Sequence, residues 1–446
     1  MLVPRKSRSA VLAACALLLV IAGCGGPDES EQNAPGQVRL YGADGNMLNT
    51  FGDEFQDHVG LLDGMKGTTP STPLSQDFKD RLLAIDSELS DYLYAAETYD
   101  AVVISAIATE LAGSTQPARI AEQINGVTTK GKRCDSAAAC LKLASAGSDV
   151  EYRGVSLKRG GFTDAGEPST ATYATLHFDE SDRLDQGKTE FVGAGDDSKT
   201  TVERPPAPGE RDGRSDSGPL KIGGLLPKTG DLALAYPPMG AAADLAIQEI
   251  NAAGGVLGRP VQWLDGDDGT SPVKAKATVK QHIRDGVQVI IGAGASGISR
   301  AVLPDVVAAG LILFSPCNTD AGLSAIDDQG LYFRTAPSDL LQGRALADVI
   351  LRDGPQKIAI VARNDSYGVG LQENVRAELE RAGIGGDRVK LLTYDPPADS
   401  EAPPVNFTAG AQEIKQYGAD AVLIIGFAES AEVIKALAAA GVEIRH

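Results

Sequence analysis

The stretch 220–261, LKIGGLLPKTGDLALAYPPMGAAADLAIQEINAAGGVLGRPV, decides the architecture. Its opening, LKIGGLLP (220–227), is a short apolar run punctuated by glycine and proline, as a buried strand is. GAAADLAIQEINAAGG (240–255) then carries apolar residues at helical spacing and stops at two glycines. The alternation continues through VQWLDGDD (261–268), a helix to Asp285, VQVIIGAGASG (287–297), another helix and LILFSPC (311–317). LYFRTAPS (331–338) predicts a further strand, and KIAIVAR (357–363), VKLLTYD (389–395) and AVLIIGFAES (421–430) predict three more units. Such a series implies parallel sheets covered by helices on both faces, with ligands at the carboxyl ends of the strands.

Composition bounds what this α/β chain can do. Its 446 residues are enough for two or more domains, and 43% hydrophobic residues supply their cores. A formal charge of -19 argues against a nucleic-acid partner, which needs a positive surface. At the start, Arg5, Lys6 and Arg8 precede the apolar run AVLAACALLLVIA (10–22), too short to span a bilayer but suited to an export signal. The run ends in IAGC (21–24), which resembles the lipobox of bacterial lipoproteins. That resemblance implies lipidation of Cys24, a flexible tether over 24–36 and an extracytoplasmic, membrane-anchored protein; the alternative is a plain cleaved signal with an incidental cysteine. Cys134 and Cys140, in KRCDSAAACLK, lie in a compartment where a disulfide is allowed; two free thiols are the alternative, and zinc lacks a histidine or a second cysteine pair.

Other segments are less regular. VRLYG (38–42) and TYATLHF (172–178) read as strands and Ser75 to Leu111 as helical stretches, whereas GDDSKTTVERPPAPGERDGRSDSG (195–218) has no apolar period and reads as a solvated linker. No H-E-x-x-H or G-x-S-x-G is present, the four histidines are scattered, and DGDDG (265–269) lacks the spacing of a calcium loop. No metal and no cofactor are expected.

Together with VIIGAGASGISRAVLPDVVAAGLILFSPCNTD (289–320), YFRTAPSD (332–339) and RNDSYGVG (363–370), the opening stretch resembles the type I periplasmic binding proteins of the leucine/isoleucine/valine-binding family, the receptors of ABC importers. The resemblance runs from 219 to 446. It implies two doubly wound parallel-sheet lobes joined by a three-crossing hinge. The elements expected after AEVIKALAAAG (431–441) stand instead at the front, as VRLYGADGNM (38–47), GLLDGMKGTTPSTP (60–73) and YLYAAETYDAVVISAIATELAG (92–113). This order implies a circular permutation: signal 1–23, tether 24–36, second lobe 336–446 with 37–72, first lobe 219–335 with 73–195 and its closing strands, and linker 196–218. Two incomplete copies completing each other in a swapped dimer is the rival arrangement.

The resemblance also assigns a ligand site. Ser296, at a helix start behind the glycines of GAGASG, would hold a ligand carboxylate; Cys317 by its main chain and Thr319 by its hydroxyl would meet the ligand's charged ends. Tyr367 and Phe427 would close over it from the other lobe, and Tyr236 would wall the side-chain pocket. Asp44, where branched-chain binders carry glutamate, would pair with an α-ammonium. Ordinary packing is the alternative for the aromatics, an inert wall for Cys317, and a turn role for Asp44 in Asp-Gly. Gly292, Gly294 and Gly297 with Asp320 also fit a dinucleotide fingerprint, an enzyme reading that rests on one motif. The expectation is a non-enzymatic lipoprotein that captures an amino acid and hands it to an ABC permease, or a sensor of the same fold reporting to a signalling partner.

Overall fold

The computed structural model describes residues 37–207, 218–398 and 402–445. The export signal, Cys24 and the tether lie outside the described residues, as does 208–217 of the expected linker.

In the amino-terminal half the strands are β1 (Gln37–Gly42), β2 (Lys66–Pro70), β3 (Lys132–Cys134), β4 (Val150–Tyr152), β5 (Thr170–His177) and β6 (Glu190–Gly195). The regular series adds β7 (Lys221–Leu225), β8 (Gln262–Leu264), β9 (Val289–Gly292), β10 (Ile312–Ser315) and β11 (Tyr332–Arg334). It ends with β12 (Ile358–Arg363), β13 (Val389–Tyr394), β14 (Ala421–Ile425) and β15 (Glu443–Ile444).

Two main sheets result. The first lobe is built on a five-stranded parallel sheet in the order β11-β10-β9-β7-β8. The second is built on an eight-stranded sheet in the order β13-β12-β14-β1-β2-β5-β6, with β15 also paired to β1. Every residue of its inner strands β12 and β14 is buried, and all but Arg363 are apolar, the pattern of a sheet covered on both faces. β1 occupies the middle, with Leu40 opposite Val422 and Tyr41 opposite Lys66. The helix Ala95–Ala112 is buried along its whole length, its Glu97, Asp100 and Glu110 included, and packs against Tyr236–Ala252.

Two expected boundaries are corrected. The closing strands β5 and β6 are antiparallel additions to the larger sheet, so 170–195 belongs to the second lobe, not the first. Tyr173, Ala174 and Leu176 of β5 are buried there. The start of the expected linker, 196–207, packs on the first lobe. Thr201 is buried and its amide donates to Phe162 O at 2.8 Å, while Gln123 Nε2 donates to Pro206 O at 3.1 Å. This segment is held by hydrogen bonds and not by an apolar face, which is why its composition reads as solvated.

Cys134, at the end of β3, is disulfide-bonded to Cys140 in the helix Ala137–Ser145, across a Cα separation of 5.4 Å. Replacing both by serine should cost about 2 kcal/mol, the loop-closure entropy of so short a ring, read as a lower denaturation midpoint in guanidinium.

Candidate functional site

A cavity of about 10 Å³ lies between the lobes, walled by Asp44, Ser296, Cys317, Thr319, Tyr367 and Phe427 among others. These are six of the seven residues singled out in the sequence.

Asp44 follows β1 in a tight turn, where Asn46 N donates to Ala43 O at 3.0 Å. Gly45 beside it packs against the next loop: a Cβ there would meet Gly426 O at 2.4 Å and the Phe427 ring at 2.6 Å. The Asp44 carboxylate accepts hydrogen bonds from Tyr94 Oη at 2.7 Å, Tyr367 Oη at 2.8 Å and Gln342 Nε2 at 2.7 Å. Burial pushes Asp44 above the usual carboxylate range, against the pull of the three donors.

Tyr367 stands in the first turn of Ser366–Arg381, whose start is capped by Asp365 accepting from Gly368 N at 2.9 Å. Its ring stacks on Phe427 with centroids 5.3 Å apart, and the Arg363 guanidinium lies 4.0 Å from the Phe427 centroid on the same lobe.

The facing wall comes from the first lobe. Ser296 is the first residue of Ser296–Ala308, where amides of the first turn have no intrahelical acceptor. The amides of Ala293 and Gly294 are already taken, by Ser299 Oγ at 3.1 Å and Asp268 Oδ2 at 2.8 Å. The amides of Ile298 and Ser299 both donate to Ala295 O, at 3.0 and 3.1 Å, which leaves those of Ser296 and Gly297 as the first-turn donors facing an anion. The loop 317–320 is fixed from behind by Arg334, whose Nη1 donates to Asn318 O at 3.2 Å and Asp320 O at 2.9 Å. Asp320 is held by Arg300 Nε at 2.6 Å, which removes it from the role a dinucleotide site would need. Cys317 is a buried wall residue, and burial pushes its thiol up, away from reactivity.

Tyr236 is not in the cavity. It opens the helix Tyr236–Ala252, with Lys228 Nζ 5.3 Å from its ring centroid, because Pro237 and Pro238 start the helix there. Leu232, from the preceding loop, takes the wall position instead. Sequence reasoning also missed Leu93, Tyr94, Gln342 and Asp339. Asp339 is fully buried at the start of Asp339–Arg352, its amide donating to Thr319 O at 2.7 Å. Neither of its carboxyl oxygens has a hydrogen bond of good geometry among the described residues, although the Thr319 side chain lies beside it. Burial first, and the Asp44 charge second, hold Asp339 well above the carboxylate range.

A third buried acid sits where chain segments cross between lobes. Glu97 shares a small enclosure with Pro70, Thr72, Pro168, Thr170, Thr335 and Pro337, and burial raises its pKa to about 8. Asp268, behind the Gly294 loop, is raised to about 7 for the same reason. An acid whose folded pKa exceeds its unfolded value is held neutral by the fold, so the stability it contributes is present at low pH and lost as pH rises through the folded value. Stability should thus fall between about pH 5 and 8 by up to ~1.4 kcal/mol per pH unit per group, and Glu97→Gln should remove one group's share. Denaturant midpoints measured at several pH values check this; a flat profile for the unmodified protein would contradict it.

The periplasmic binding protein family profile matches residues 219–445, half of the chain. The chain belongs to the periplasmic binding protein family. The Leu/Ile/Val-binding protein homolog 3 of Brucella melitensis is 27% identical to this periplasmic binding protein over 209 residues, 47% of this chain and 54% of the relative. The Leu/Ile/Val-binding protein of Escherichia coli is 33% identical over 140 residues, 31% of this chain and 38% of the relative. The chain thus spans about half the length, or less, of these curated relatives. Among solved structures, the branched-chain amino acid transporter substrate binding protein LivJ of Streptococcus pneumoniae, in complex with isoleucine, aligns at a TM-score of 0.43 and 25% identity, over 51% of this chain and 63% of its own. These relatives are substrate-binding proteins. No helix among the described residues is long and apolar enough to cross a membrane.

Proposed function

We propose that the protein is an extracytoplasmic solute-binding lipoprotein, anchored through Cys24, that captures an amino acid between its lobes and delivers it to an ABC permease. The observation that carries this reading is the convergence of Asp44 and Tyr367 from one lobe with Ser296 and Thr319 from the other on one buried cavity. The helix start at Ser296 suits a carboxylate and Asp44 suits an ammonium, so the wall is complementary to a zwitterion. Phe427 and Tyr367 cover the ligand as the hinge closes. Catalysis has no part in this reading.

The test is calorimetric titration of residues 26–446 with leucine, isoleucine, valine, small amides and short carboxylates. Binding confined to amino acids supports the proposal; binding of an amide or carboxylate alone overturns it. Loss of growth on the bound amino acid when the neighbouring permease is deleted separates import from sensing.

The same reading takes the chain order as a circular permutation. β1 fills the sheet position beside β14 where a strand after the helix Ala431–Ala439 belongs, and β15 aligns against its start, Arg445 N donating to Val38 O at 2.8 Å. A protein rejoined as 219–445 followed by 37–207 should fold as a monomer with unchanged ligand affinity. Its failure to fold would count against permutation and for exchange between two copies.

A further inference from the structure

β6 ends the larger sheet, with β5 on one side and, among the described residues, no strand on the other. All but one of its residues are exposed, and its two large apolar side chains, Phe191 and Val192, remain 47% and 45% exposed, one on each face. Sheet edges are normally blunted by lysine, proline or a covering segment, because their free backbone groups invite another strand. The sequence EFVGAG has neither lysine nor proline, and its one charge, Glu190, stands at the start.

The ladder fixes which backbone groups are free. Asp196 N donates to Ser169 O at 3.0 Å and Ser71 N donates to Thr172 O at 2.9 Å, so the alternation of an antiparallel sheet turns Glu190, Val192 and Ala194 toward β5. Phe191, Gly193 and Gly195 therefore turn their N–H and C=O groups outward. A second β6 running antiparallel satisfies these groups when Phe191 of each copy stands opposite Gly193 of the other, which puts Val192 opposite Val192 on a two-fold axis. The space is there for it: a Cβ on Gly193 would meet only Arg159 Nη1, at 3.5 Å, so an incoming Phe191 ring can cover the bare backbone.

Charge selects this register. It brings Lys188 alongside Asp196 and Asp185 alongside Lys199, twice each by symmetry. Sliding the copy by two residues sets Glu190 against Asp196 in one direction and Asp185 against Asp197 in the other, and like charges directly opposite are unfavourable. Lys188 is free to take part, since its side chain stays 61% exposed although it lies 3.6 Å from Asp185 of its own chain.

We propose that β6 is a docking edge for a second copy of this chain, joining the two larger sheets into one across a two-fold axis at Val192. The pairing joins folded monomers and exchanges no element between them. One edge strand is a small interface, so the dimer is a weak one that forms as concentration rises. Nothing in it depends on which ligand the cleft takes.

Sedimentation velocity of residues 26–446 from about 1 to about 300 µM tests it. The unmodified protein should move from monomer toward dimer over that range. Val192→Lys, which sets two ammonium groups face to face at an exposed position, should stay monomeric throughout while its melting temperature is unchanged. Lys188→Asp and Asp196→Lys should each weaken dimerisation about tenfold, because symmetry turns two attractive pairs repulsive at once. Both changes in one chain should restore it to within about threefold, a recovery that requires the two positions to meet. A protein that stays monomeric at the highest concentration, or a dimer that Val192→Lys leaves intact, overturns the proposal.

Discussion

Asp44→Ala will lower the affinity for the proposed amino-acid ligand by more than ~30-fold. Truncating one partner of a buried, hydrogen-bonded charge pair costs roughly 2–5 kcal/mol, and each 1.4 kcal/mol is a factor of ten. The cost here lies toward the upper part of that range because the change also strands the donors on Tyr94, Tyr367 and Gln342, all buried. Calorimetry on folded variant measures it, with Tyr94→Phe as the milder companion that removes one donor and keeps the acid. The pH dependence follows from the same carboxyl. Ammonium binding requires the ionised form, and burial raises the Asp44 pKa, so affinity should decline on acidification at higher pH than an ordinary aspartate would give. An Asp44→Ala protein that binds leucine as tightly as the original would remove the acid from the site.

The second large effect is on stability. Arg363→Ala should destabilise the protein by about 3–5 kcal/mol, the cost of removing one partner of a buried ion pair and leaving the other charged and dry. Arg363 is nearly buried, its Nη1 donates to Glu429 Oε1 at 2.7 Å, and its Nε donates to Asp365 Oδ2 at 2.6 Å. Its Nη2 also lies 3.9 Å from Asp231 across the cleft, where Ala428 N donates to Asp231 O at 3.1 Å. Arg363→Lys should recover little, because an ammonium cannot serve three acids through a planar fork. Denaturation in guanidinium decides it: a loss below ~1 kcal/mol would mean that water screens this cluster. Burial and the Glu429 charge raise Asp231 to about 6, so its pairing with Arg363 should strengthen as pH rises through that value.

Much of this was legible in the residues. The α/β series from Leu220 onward announced itself because each strand is a short apolar run and each helix ends at glycine, two periods that local chemistry dictates. Six site residues stand at strand ends or helix starts, where such sheets place ligands. Tyr236 was misplaced because a tyrosine before two prolines shows that a helix begins but not which way its ring turns. Asp339 and Gln342 were invisible for a related reason. Ser338, Asp339 and Leu340 read as an ordinary helix cap, and only the fold brings Gln342 to a carboxylate 298 positions away in the chain. Tyr94 lies in a left-handed conformation that no propensity favours for it. The assignment of β5 and β6 to the larger sheet likewise depends on which edge remained free, a matter of tertiary packing and not of pattern.

The central position of β1 has a consequence for how the chain acquires its structure. Its neighbour β14 lies far along the chain, with Leu40 opposite Val422, so the middle of the larger sheet cannot zip up until all the residues between them are available. Pairings this remote in sequence raise contact order and slow folding. Until then VRLYG is a short apolar strand with both edges unpaired, a segment open to mispairing with other chains. The protein should therefore depend more heavily on holdase chaperones and refold more slowly than a protein of the same shape whose sheet is assembled in chain order.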